Sequence, residues 1–358
     1  MERSSGLACL IAAGGTAGHV RPALAVAEAL RERGVTVTFA GSPDRAESQL
    51  VPEAGFELDT FAVSGLPRRL GVELLRAVAR AVRAPFTCAR ILSRRRPDVV
   101  LGGGGYVSGP MVLAARLRGI PAALTEADAH LGLANRLAAP LARRVFLAYE
   151  IPGRDVSKYR VLGRPIPRSH LGASREAGRA RFDLPADGPV LGVFGGLVGA
   201  KALNEFAVTA YGESGPAVLH IAGERDFDAL RPLVKRPDYV LLATTDHFGE
   251  ALAVADLAIS RAGGTVWELA AAGTPAILVP YPYATSDHQA LNARHFDEGG
   301  GAILVREDDL ARVPALAEEL LADPARLRRM SDAMQALARP EAADEIAEEL
   351  IRLAEGRP

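Results

Sequence analysis

Short apolar runs alternate with amphipathic segments along the first half of the chain. Runs of strand length occupy residues 7–13, 35–39, 97–101, 120–124 and 145–147. A helical pattern spans residues 22–33, with Pro22 near its start and Gly34 just beyond its end, as is usual at helix termini. Buried strands that alternate with helices predict βαβ units and a parallel sheet.

The second half repeats this arrangement. Apolar runs at residues 190–194, 257–260 and 276–279 predict strands, and charged helices with apolar stripes are expected at residues 310–330 and 341–353. A Gly-Gly-x-x-Gly spacing follows the first strand of each half, at Gly14 and at Gly195. We therefore expect an α/β protein with two doubly wound, Rossmann-like domains facing a central cleft.

Length and proline placement suggest where these domains divide. At 358 residues the chain exceeds the usual size for one hydrophobic core. Pro165 and Pro167 interrupt any helix and mark the expected hinge. We place an N-terminal domain at residues 1–163 and a C-terminal domain at residues 164–340. The acidic helix expected within residues 341–358 is free to pack across either domain.

Composition narrows the class of protein. Hydrophobic residues make up 49% of the chain and charged residues 24%, with 36 glycines, which is typical of a soluble α/β protein and excludes disordered and fibrous classes. A net charge of -1 gives no basis for general nucleic-acid binding. Cys9 and Cys88 lack metal or redox spacing, as suits a reducing cytosol. The apolar stretch within residues 1–13 is interpreted as the first strand, and no apolar run is long enough to span a membrane.

Three familiar enzyme classes fit poorly. A nicotinamide-binding turn would need glycine at Ala13, and Ala40-Gly41-Ser42 lacks the acid that binds ribose after the second strand. No glycine turn ends in the Gly-Lys-Ser/Thr of a Walker loop, and no G-x-S-x-G elbow of a serine hydrolase occurs. No spaced cluster of Asp, His and Cys predicts a bound metal. Without a metal ion, the negative charge of a leaving group would be stabilised by backbone amides at helix starts.

One turn has the pattern of a phosphate site. Arg261, Gly263 and Gly264 follow an apolar run and precede a helix, so free amides at the helix start can meet a phosphate. Glu268 lies one turn further on, where its carboxylate can accept both hydroxyls of a ribose. Gln289 follows the next strand, at the same rim of a parallel sheet. This combination suits a nucleoside diphosphate.

The acid and the amide each have a structural alternative. Thr265-x-x-Glu268 and Ser286-x-x-Gln289 both fit a capping box, in which the side chain only satisfies amides at its own helix start. Taken alone, each pair favours the cap. The neighbouring glycines favour a ligand.

His19 is the candidate base. It ends the first glycine turn, where a helix N-terminus disfavours imidazolium and keeps the ring able to accept a proton. A histidine that only caps the helix or bonds across the turn is the alternative. His288 also follows a strand end, while the remaining histidines carry no interpretable motif: His130, His170, His220, His247 and His295.

Two further features remain open. Gly102 to Gly105 follow a strand, and such a run implies either close packing of a helix or close approach of a ligand. Positive charge is concentrated between residues 65 and 97, with an apolar face of Val72, Leu75, Ala79, Val82 and Phe86 at helical spacing. That helix either covers the sheet or lies on anionic lipid. The arginines concerned are Arg68, Arg69, Arg76, Arg80, Arg83, Arg90, Arg94, Arg95 and Arg96.

Taken together, these motifs resemble the MurG glycosyltransferases of family 28. The matching stretches lie at residues 14–20, 104–110, 133–136, 195–204 and 261–293, in the family's order. The resemblance implies a GT-B fold and an inverting transfer, with no metal or other cofactor. N-acetylglucosamine would pass from UDP-N-acetylglucosamine to undecaprenyl-linked muramoyl-pentapeptide (lipid I), giving lipid II for peptidoglycan. It also implies a peripheral protein on the cytoplasmic face of the membrane, whose Arg68 to Arg96 region meets anionic lipid of the inner leaflet.

The resemblance assigns residue roles as well. His19 would deprotonate the acceptor hydroxyl. Arg261, Gly263 and Gly264 would lie under the diphosphate, Gln289 and Asn292 beside the sugar, and the Thr245 backbone against uracil. The implied acceptor-binding residues are Thr16, Ala17, Gly18, Tyr106, Asp128 and Asn135. The implied donor-binding residues are Gly15, Arg168, Gly196, Leu197, Gly199, Thr245, Arg261, Gly263, Gly264, Thr265, Glu268, Gln289 and Asn292.

Four positions depart from the family pattern. Leu197 stands where a serine is usual, which leaves only backbone donors there and removes a hydrogen bond worth about 1.5 to 3 kcal/mol. Asp128 replaces asparagine, Ala17 replaces glycine, and Pro167 replaces an arginine that Arg168 can substitute. Two other hypotheses therefore stand beside the first. One is a transferase with another lipid or natural-product acceptor, and the other is a weakly active paralogue that binds nucleotide sugar or lipid-linked precursor.

Overall fold

The chain divides into two compact units. The structure, a computed structural model, describes residues 6–63, 72–154, 156–196 and 200–357, without the side chains of residues 72–79, 81 and 285. The first unit comprises Met1–Pro167 together with Glu341–Pro358, and the second comprises Arg168–Pro340. The division falls after Pro167 and not after Gly163, so Arg164 belongs to the first unit.

The first unit alternates strands and helices. In chain order these are β1 (Ala8–Ala12), α1 (Ala17–Glu32), β2 (Thr36–Gly41), α2 (Ala46–Glu53), β3 (Glu57–Thr60), α3 (Val72–Arg95), β4 (Val99–Gly102), α4 (Ser108–Leu117), β5 (Ala122–Glu126), α5 (Leu133–Ala138), β6 (Arg144–Leu147) and β7 (Tyr159–Val161). The strands form a parallel sheet in the order β3-β2-β1-β4-β5-β6-β7. The order reverses between β1 and β4, which is where doubly wound sheets bind ligands.

The second unit has the same topology. Its elements are α6 (Arg175–Arg181), β8 (Val190–Phe194), α7 (Lys201–Tyr211), β9 (Ala217–Ile221), α8 (Glu224–Leu230), β10 (Tyr239–Leu242), α9 (Phe248–Val254), β11 (Leu257–Ser260), α10 (Thr265–Ala272), β12 (Ala276–Leu278), α11 (His288–Glu298), β13 (Ala302–Leu304), α12 (Val313–Leu321) and α13 (Pro324–Leu337). The parallel order is β10-β9-β8-β11-β12-β13, so the reversal lies between β8 and β11.

The last helix, α14 (Ala342–Ala354), returns to the first unit. Its apolar side chains, among them Ile346 and Leu350, join the core cluster that also contains Val26 and Leu30 of α1. Arg33 at the end of α1 pairs with Asp344 at 2.7 Å. The helix is therefore part of the first unit's core.

The strongest sequence patterns predict the strands well and the boundaries less well. Strands β8 and β11 occupy the predicted residues. Helix α1 begins at Ala17 and contains Pro22, whereas the proline was expected at its start. Strands β3 and β7 were not predicted because they are short and partly exposed, with Glu57 and Thr60 exposed on β3. Strands β9, β10 and β13 were not predicted either, although every residue of β9 is buried. The single helix expected at residues 310–330 is interrupted before Pro324.

No helix in the described part of the chain is long and apolar enough to cross a membrane.

Candidate active site

The first glycine turn is anchored by a buried glutamate that sequence reasoning missed. Glu47, on α2, is fully buried, and its two carboxylate oxygens accept from the Gly15 amide and the Ser42 amide, each at 2.8 Å. Gly15, expected to bind the donor, thus uses its amide within the fold. Gly15 has φ +94°, a conformation that favours glycine. The sequence carries no distinct signal for this role, because Glu47 is followed by Ser48 and Gln49 on a helix that also contains Glu53.

The four consecutive glycines interlock with this turn. A side chain at Gly104, which has φ +104°, would overlap the His19 ring, and one at Gly105 would overlap the Gly14 carbonyl. At Gly103 a Cβ would lie 2.8 Å from the Cβ of Ala13. Close packing, one of the two explanations for the glycine run, is therefore observed, and close approach of a ligand stays a prediction. The run seats the loop after β4 against the loop after β1.

His19 lies in the first turn of α1 and is partly buried. Its Nδ1 is 3.2 Å from the Thr16 hydroxyl, so the ring does bond across the turn, which was the structural alternative. Burial first, and the nearby Arg164 charge second, lower its pKa below the usual 6.5, against opposing contributions from Asp128, Glu47 and the Gly14 backbone. The ring is therefore neutral at pH 7. The sequence predicted the direction and named a different cause.

Arg164 explains how Pro22 fits inside α1. Because proline has no amide hydrogen, it leaves the Gly18 carbonyl without its helical donor. The Arg164 guanidinium donates to that carbonyl at 2.6 Å and to the Ala127 carbonyl at 3.3 Å. Arg164 is buried and lines a small cavity with His19 and Glu126. It ties the loop after β1 to the loop after β5.

The loop after β5 is organised by Glu126. This buried carboxylate accepts from the Ala127 and Gly132 amides and from Asn135 Nδ2, at 3.0, 2.9 and 3.0 Å. Burial is the main cause that raises its pKa, and the hydrogen bonds partly offset it. Asn135, expected to bind the acceptor, is buried and supports this loop instead. Asp128 lies on the loop and is partly exposed.

Thr16, Gly18 and Tyr106 present accessible groups on this rim. All three are exposed, Tyr106 at 60%, and Ala17 is partly exposed. Together with His19 and Asp128, they follow β1, β4 and β5, which are neighbours in the sheet. The residues predicted to bind the acceptor, except the buried Asn135, therefore lie accessible near the carboxyl ends of these three strands.

In the second unit the turn after β11 opens toward solvent. A side chain at Gly263 would meet nothing within 4 Å, and Gly264 is the N-cap residue of α10, with no side-chain cap. Thr265 occupies the first helical position. Uncapped amides beside open space have the geometry of an anion site.

Two residues predicted to bind the donor, Arg261 and Asn292, make hydrogen bonds within the fold. The buried Arg261 guanidinium donates to the Val279 and Pro280 carbonyls at 3.2 and 3.3 Å and pairs with Glu307. Asn292 is also buried, and its Nδ2 donates to the Ala262 carbonyl at 3.1 Å. Both side chains therefore shape the turn at residues 261–264 from behind. The expected places of Arg261 under the diphosphate and of Asn292 beside the sugar stay predictions.

Neither predicted capping box forms. The N-cap residue of α10 is Gly264, which has no side chain to cap the helix, and the Glu268 carboxylate accepts a hydrogen bond from His170 Nδ1 at 2.8 Å. Helix α11 is preceded by Asp287, and Gln289 Oε1 accepts from the Tyr281 amide at 2.9 Å. The acid and the amide are thus available to roles beyond helix capping.

A buried polar network supports the turn after β8. Asn204 donates to the Ala222 carbonyl at 2.8 Å and lies 3.0 Å from His220 Nε2, while His220 Nδ1 lies 2.9 Å from the Tyr239 hydroxyl. Burial lowers the pKa of His220 to about 3, so the ring is neutral and bridges the two partners. A side chain at Gly195 would crowd Asn204.

The remaining residues predicted to bind the donor lie on separate segments of the second unit. Gly196 has φ +82° and open space around it. Thr245 follows β10, and its hydroxyl accepts from the His247 amide at 3.1 Å. Arg168 is exposed at the start of the second unit. Leu197 and Gly199 lie outside the described residues. Among described side chains, no group of three or more His, Cys, Asp or Glu is arranged to hold a metal ion.

The basic helix is only partly as expected. Arg94 and Arg95 pair with Asp59, at 2.5 and 2.7 Å, and so belong to the fold. Burial alone would raise the Asp59 pKa, but the bonds and charges of Arg95 and Arg94 lower it. Arg80, Arg83, Arg90 and Arg96 are exposed, whereas Arg68, Arg69 and the Arg76 side chain lie outside the described part.

Comparisons with known proteins identify the class. The sequence matches the glycosyltransferase family 28 N-terminal domain over residues 9–147 and the family's C-terminal domain over residues 190–346. The chain belongs to glycosyltransferase family 28, and its two Rossmann-like units form a GT-B fold.

Individual relatives are similar over nearly their full length. A protein of Acidithiobacillus ferrooxidans is named UDP-N-acetylglucosamine--N-acetylmuramyl-(pentapeptide) pyrophosphoryl-undecaprenol N-acetylglucosamine transferase. It is 43% identical, covering 97% of this chain and 98% of its own. The crystal structure of Acinetobacter baumannii MurG matches with TM-score 0.76 and 28% identity, over 97% and 99% of the two chains. The calicheamicin glycosyltransferase CalG4 shares the fold, with TM-score 0.68 and 20% identity over 97% and 99%.

Proposed function

We propose that the protein transfers N-acetylglucosamine from UDP-N-acetylglucosamine to undecaprenyl-linked muramoyl-pentapeptide, forming lipid II for peptidoglycan. The observation that carries this proposal is the neutral His19, which lies where the carboxyl ends of β1 and β4 meet. The chain belongs to a family in which relatives are named for this activity. Tyr106 and Asp128 on neighbouring loops supply polar groups for the acceptor. The uncapped start of α10 supplies amides for the donor phosphates.

The chemistry follows from these groups. The acceptor hydroxyl attacks the anomeric carbon, a new C–O bond forms, and the bond from that carbon to the β-phosphate oxygen breaks. His19 accepts the hydroxyl proton, since its ring is neutral at pH 7. Negative charge that develops on UDP is stabilised by amides of the turn at residues 263–265. The anomeric configuration is inverted in this single displacement.

The first test measures UDP release with a lipid I analogue as acceptor. Replacing His19 with alanine should lower turnover about 10²- to 10⁴-fold, the usual contribution of a general base. UDP affinity, measured by calorimetry, should stay within about twofold. A variant that turns over at the parent rate would remove the base assignment. Release of UDP with unrelated lipid or natural-product acceptors, and none with the lipid I analogue, would reject the proposed acceptor.

We further propose that transfer needs no metal ion. The amides at the start of α10 can carry the leaving-group charge that a cation would otherwise neutralise. The rate of UDP release should therefore be the same with and without EDTA in the buffer. A loss of activity that added Mg²⁺ or Mn²⁺ restores would contradict this proposal.

We also propose that the first unit docks peripherally on anionic lipid at the inner leaflet. On α3, Val82 and Phe86 are 63% and 70% exposed, so the described part of the face expected to be apolar lies open to solvent. Arg80, Arg83 and Arg90 on the same helix are exposed. An apolar face beside arginines suits the membrane interface. Helix α4 packs against both α3 and α5, and Leu133 and Leu137 of α5 are also exposed.

Vesicle co-sedimentation tests this docking. With vesicles of phosphatidylglycerol and phosphatidylcholine, the bound fraction should fall as salt rises, because screening weakens attraction to anionic lipid. Replacing Val82 and Phe86 with serine should reduce binding severalfold without changing turnover on a water-soluble acceptor. Leu233→Ser, at a residue 49% exposed on the second unit, is the matched control. Equal losses in both variants would argue against α3 as the docking face.

A further inference from the structure

Glu268 is held by a histidine that no motif singled out. His170 is 7% exposed, and its Nδ1 lies 2.8 Å from Glu268 Oε1. Within the described part of the chain, the carboxylate makes no second hydrogen bond, and its side chain is 15% exposed. One face of the carboxylate is therefore fixed while the other is open to a ligand.

The histidine is itself immobilised. Its ring packs edge-on against Phe248, with ring centroids 5.4 Å apart, and Phe248 packs likewise on Phe194. A side chain at Gly249 would lie 2.7 Å from the Ser169 carbonyl oxygen, so the turn that carries His170 sits directly on the start of α9. Backbone and ring are both held before any ligand arrives.

We infer that His170 is a positioning residue that presets the Glu268 carboxylate to receive the two hydroxyls of a ribose, an inference that rests on the proposed function. A free glutamate loses side-chain entropy when it is fixed by a ligand. A partner that already fixes it removes much of that cost. Oε1 keeps a second lone pair after accepting from His170, and Oε2 keeps both, so two hydroxyl donors can still be accommodated.

The test compares two ligands on the full chain. Calorimetry gives Kd for UDP and for 2′,3′-dideoxy-UDP, which lacks both hydroxyls. In the parent protein UDP should bind at least tenfold tighter. In His170→Leu the preference should shrink about five- to tenfold, through weaker UDP binding alone. His170→Asn, whose amide nitrogen can occupy the place of Nδ1, should restore most of it.

The ligand ratio separates positioning from damage to the fold. If His170→Leu weakens both ligands equally, or leaves the preference unchanged, the inference is overturned. Glu268→Gln tests the ribose role of Glu268 separately, and His19→Ala with the lipid I analogue tests the proposed function. If that variant keeps the full preference for UDP, the ribose role of Glu268 fails. If it loses the preference while His170→Leu retains it, only the role of His170 fails.

Discussion

At the scale of single residues, the pKa of His19 depends on charged side chains that lie far from it in the chain. Arg164 satisfies the Gly18 carbonyl that Pro22 leaves without a donor, and its charge also faces His19. Asp128 and Glu47 oppose that charge. Arg164 therefore supplies the donor that the Gly18 carbonyl lacks and, after burial, is the second cause of the lowered His19 pKa.

Removing that charge should move the acid limb of the pH profile. Since burial and Arg164 lower the His19 pKa, the base stays neutral below pH 6.5 and kcat/KM should fall only at lower pH. In Arg164→Gln one lowering influence is gone, so the His19 pKa rises and the acid limb moves to higher pH. Arg164→Lys keeps the charge and should keep the limb in place. A Gln variant with an unmoved limb would show that Arg164 does not tune the base.

Sequence reasoning located His19, Glu268 and Gln289 because strand ends and glycine turns mark ligand sites in parallel sheets. Arg261, Asn292 and Asn135, which were predicted to bind ligands, make hydrogen bonds within the fold, and their ligand contacts stay predictions. A polar residue in such a turn can face the ligand or the backbone behind it, and spacing alone does not distinguish the two. Sequence reasoning missed Glu47, Arg164 and His170 because their partners lie far away in the chain. Those contacts exist only once the sheet has formed.

At the scale of elements, glycines set how closely the loops after β1 and β4 approach. Positive φ at Gly104 and overlap with the His19 ring act together there, so any side chain must displace the base. Gly109 lies in the first turn of α4 with nothing near its Cβ position. The two glycines therefore differ in what they do.

Gly104→Ala should reduce stability by more than 1 kcal/mol, because φ > 0 and steric overlap both disfavour alanine. Turnover should fall as well, since the ring moves. Gly109→Ala should instead raise helix stability by about 0.5 to 1 kcal/mol. Urea unfolding and UDP release measure both effects. Equal stability of the two variants would contradict the interlock.

The network that joins α7, β9 and β10 predicts acid sensitivity of the second unit. His220 has a folded-state pKa of about 3, so the unfolded chain binds its proton first as pH falls below 6.5. Its contribution to stability is present above pH 6.5 and is lost toward pH 3, at up to about 1.4 kcal/mol per pH unit. His220→Gln should flatten that dependence in urea titrations at several pH values. An unchanged slope would exclude His220 as the cause.

At the scale of the whole molecule, α14 completes a core that is otherwise built from residues before position 168. Leu350 is fully buried there, whereas Leu353 is partly exposed. Leu350→Ala should cost about 2 to 5 kcal/mol of unfolding free energy, and Leu353→Ala clearly less. Hydrogen exchange should quicken in β1 and α1 of the Leu350 variant. Faster exchange confined to strands β8 to β13 would contradict the assignment of α14 to the first unit.

The return of α14 also bears on how the protein is made. On the ribosome, β1 through β7 emerge well before the helix that covers α1, with all of residues 168–340 translated in between. Until then, apolar side chains such as Val26 and Leu30 lack their partner and are open to chaperones. A nascent chain stalled before residue 341 should therefore be cut by protease within α1, and one released after residue 354 should resist.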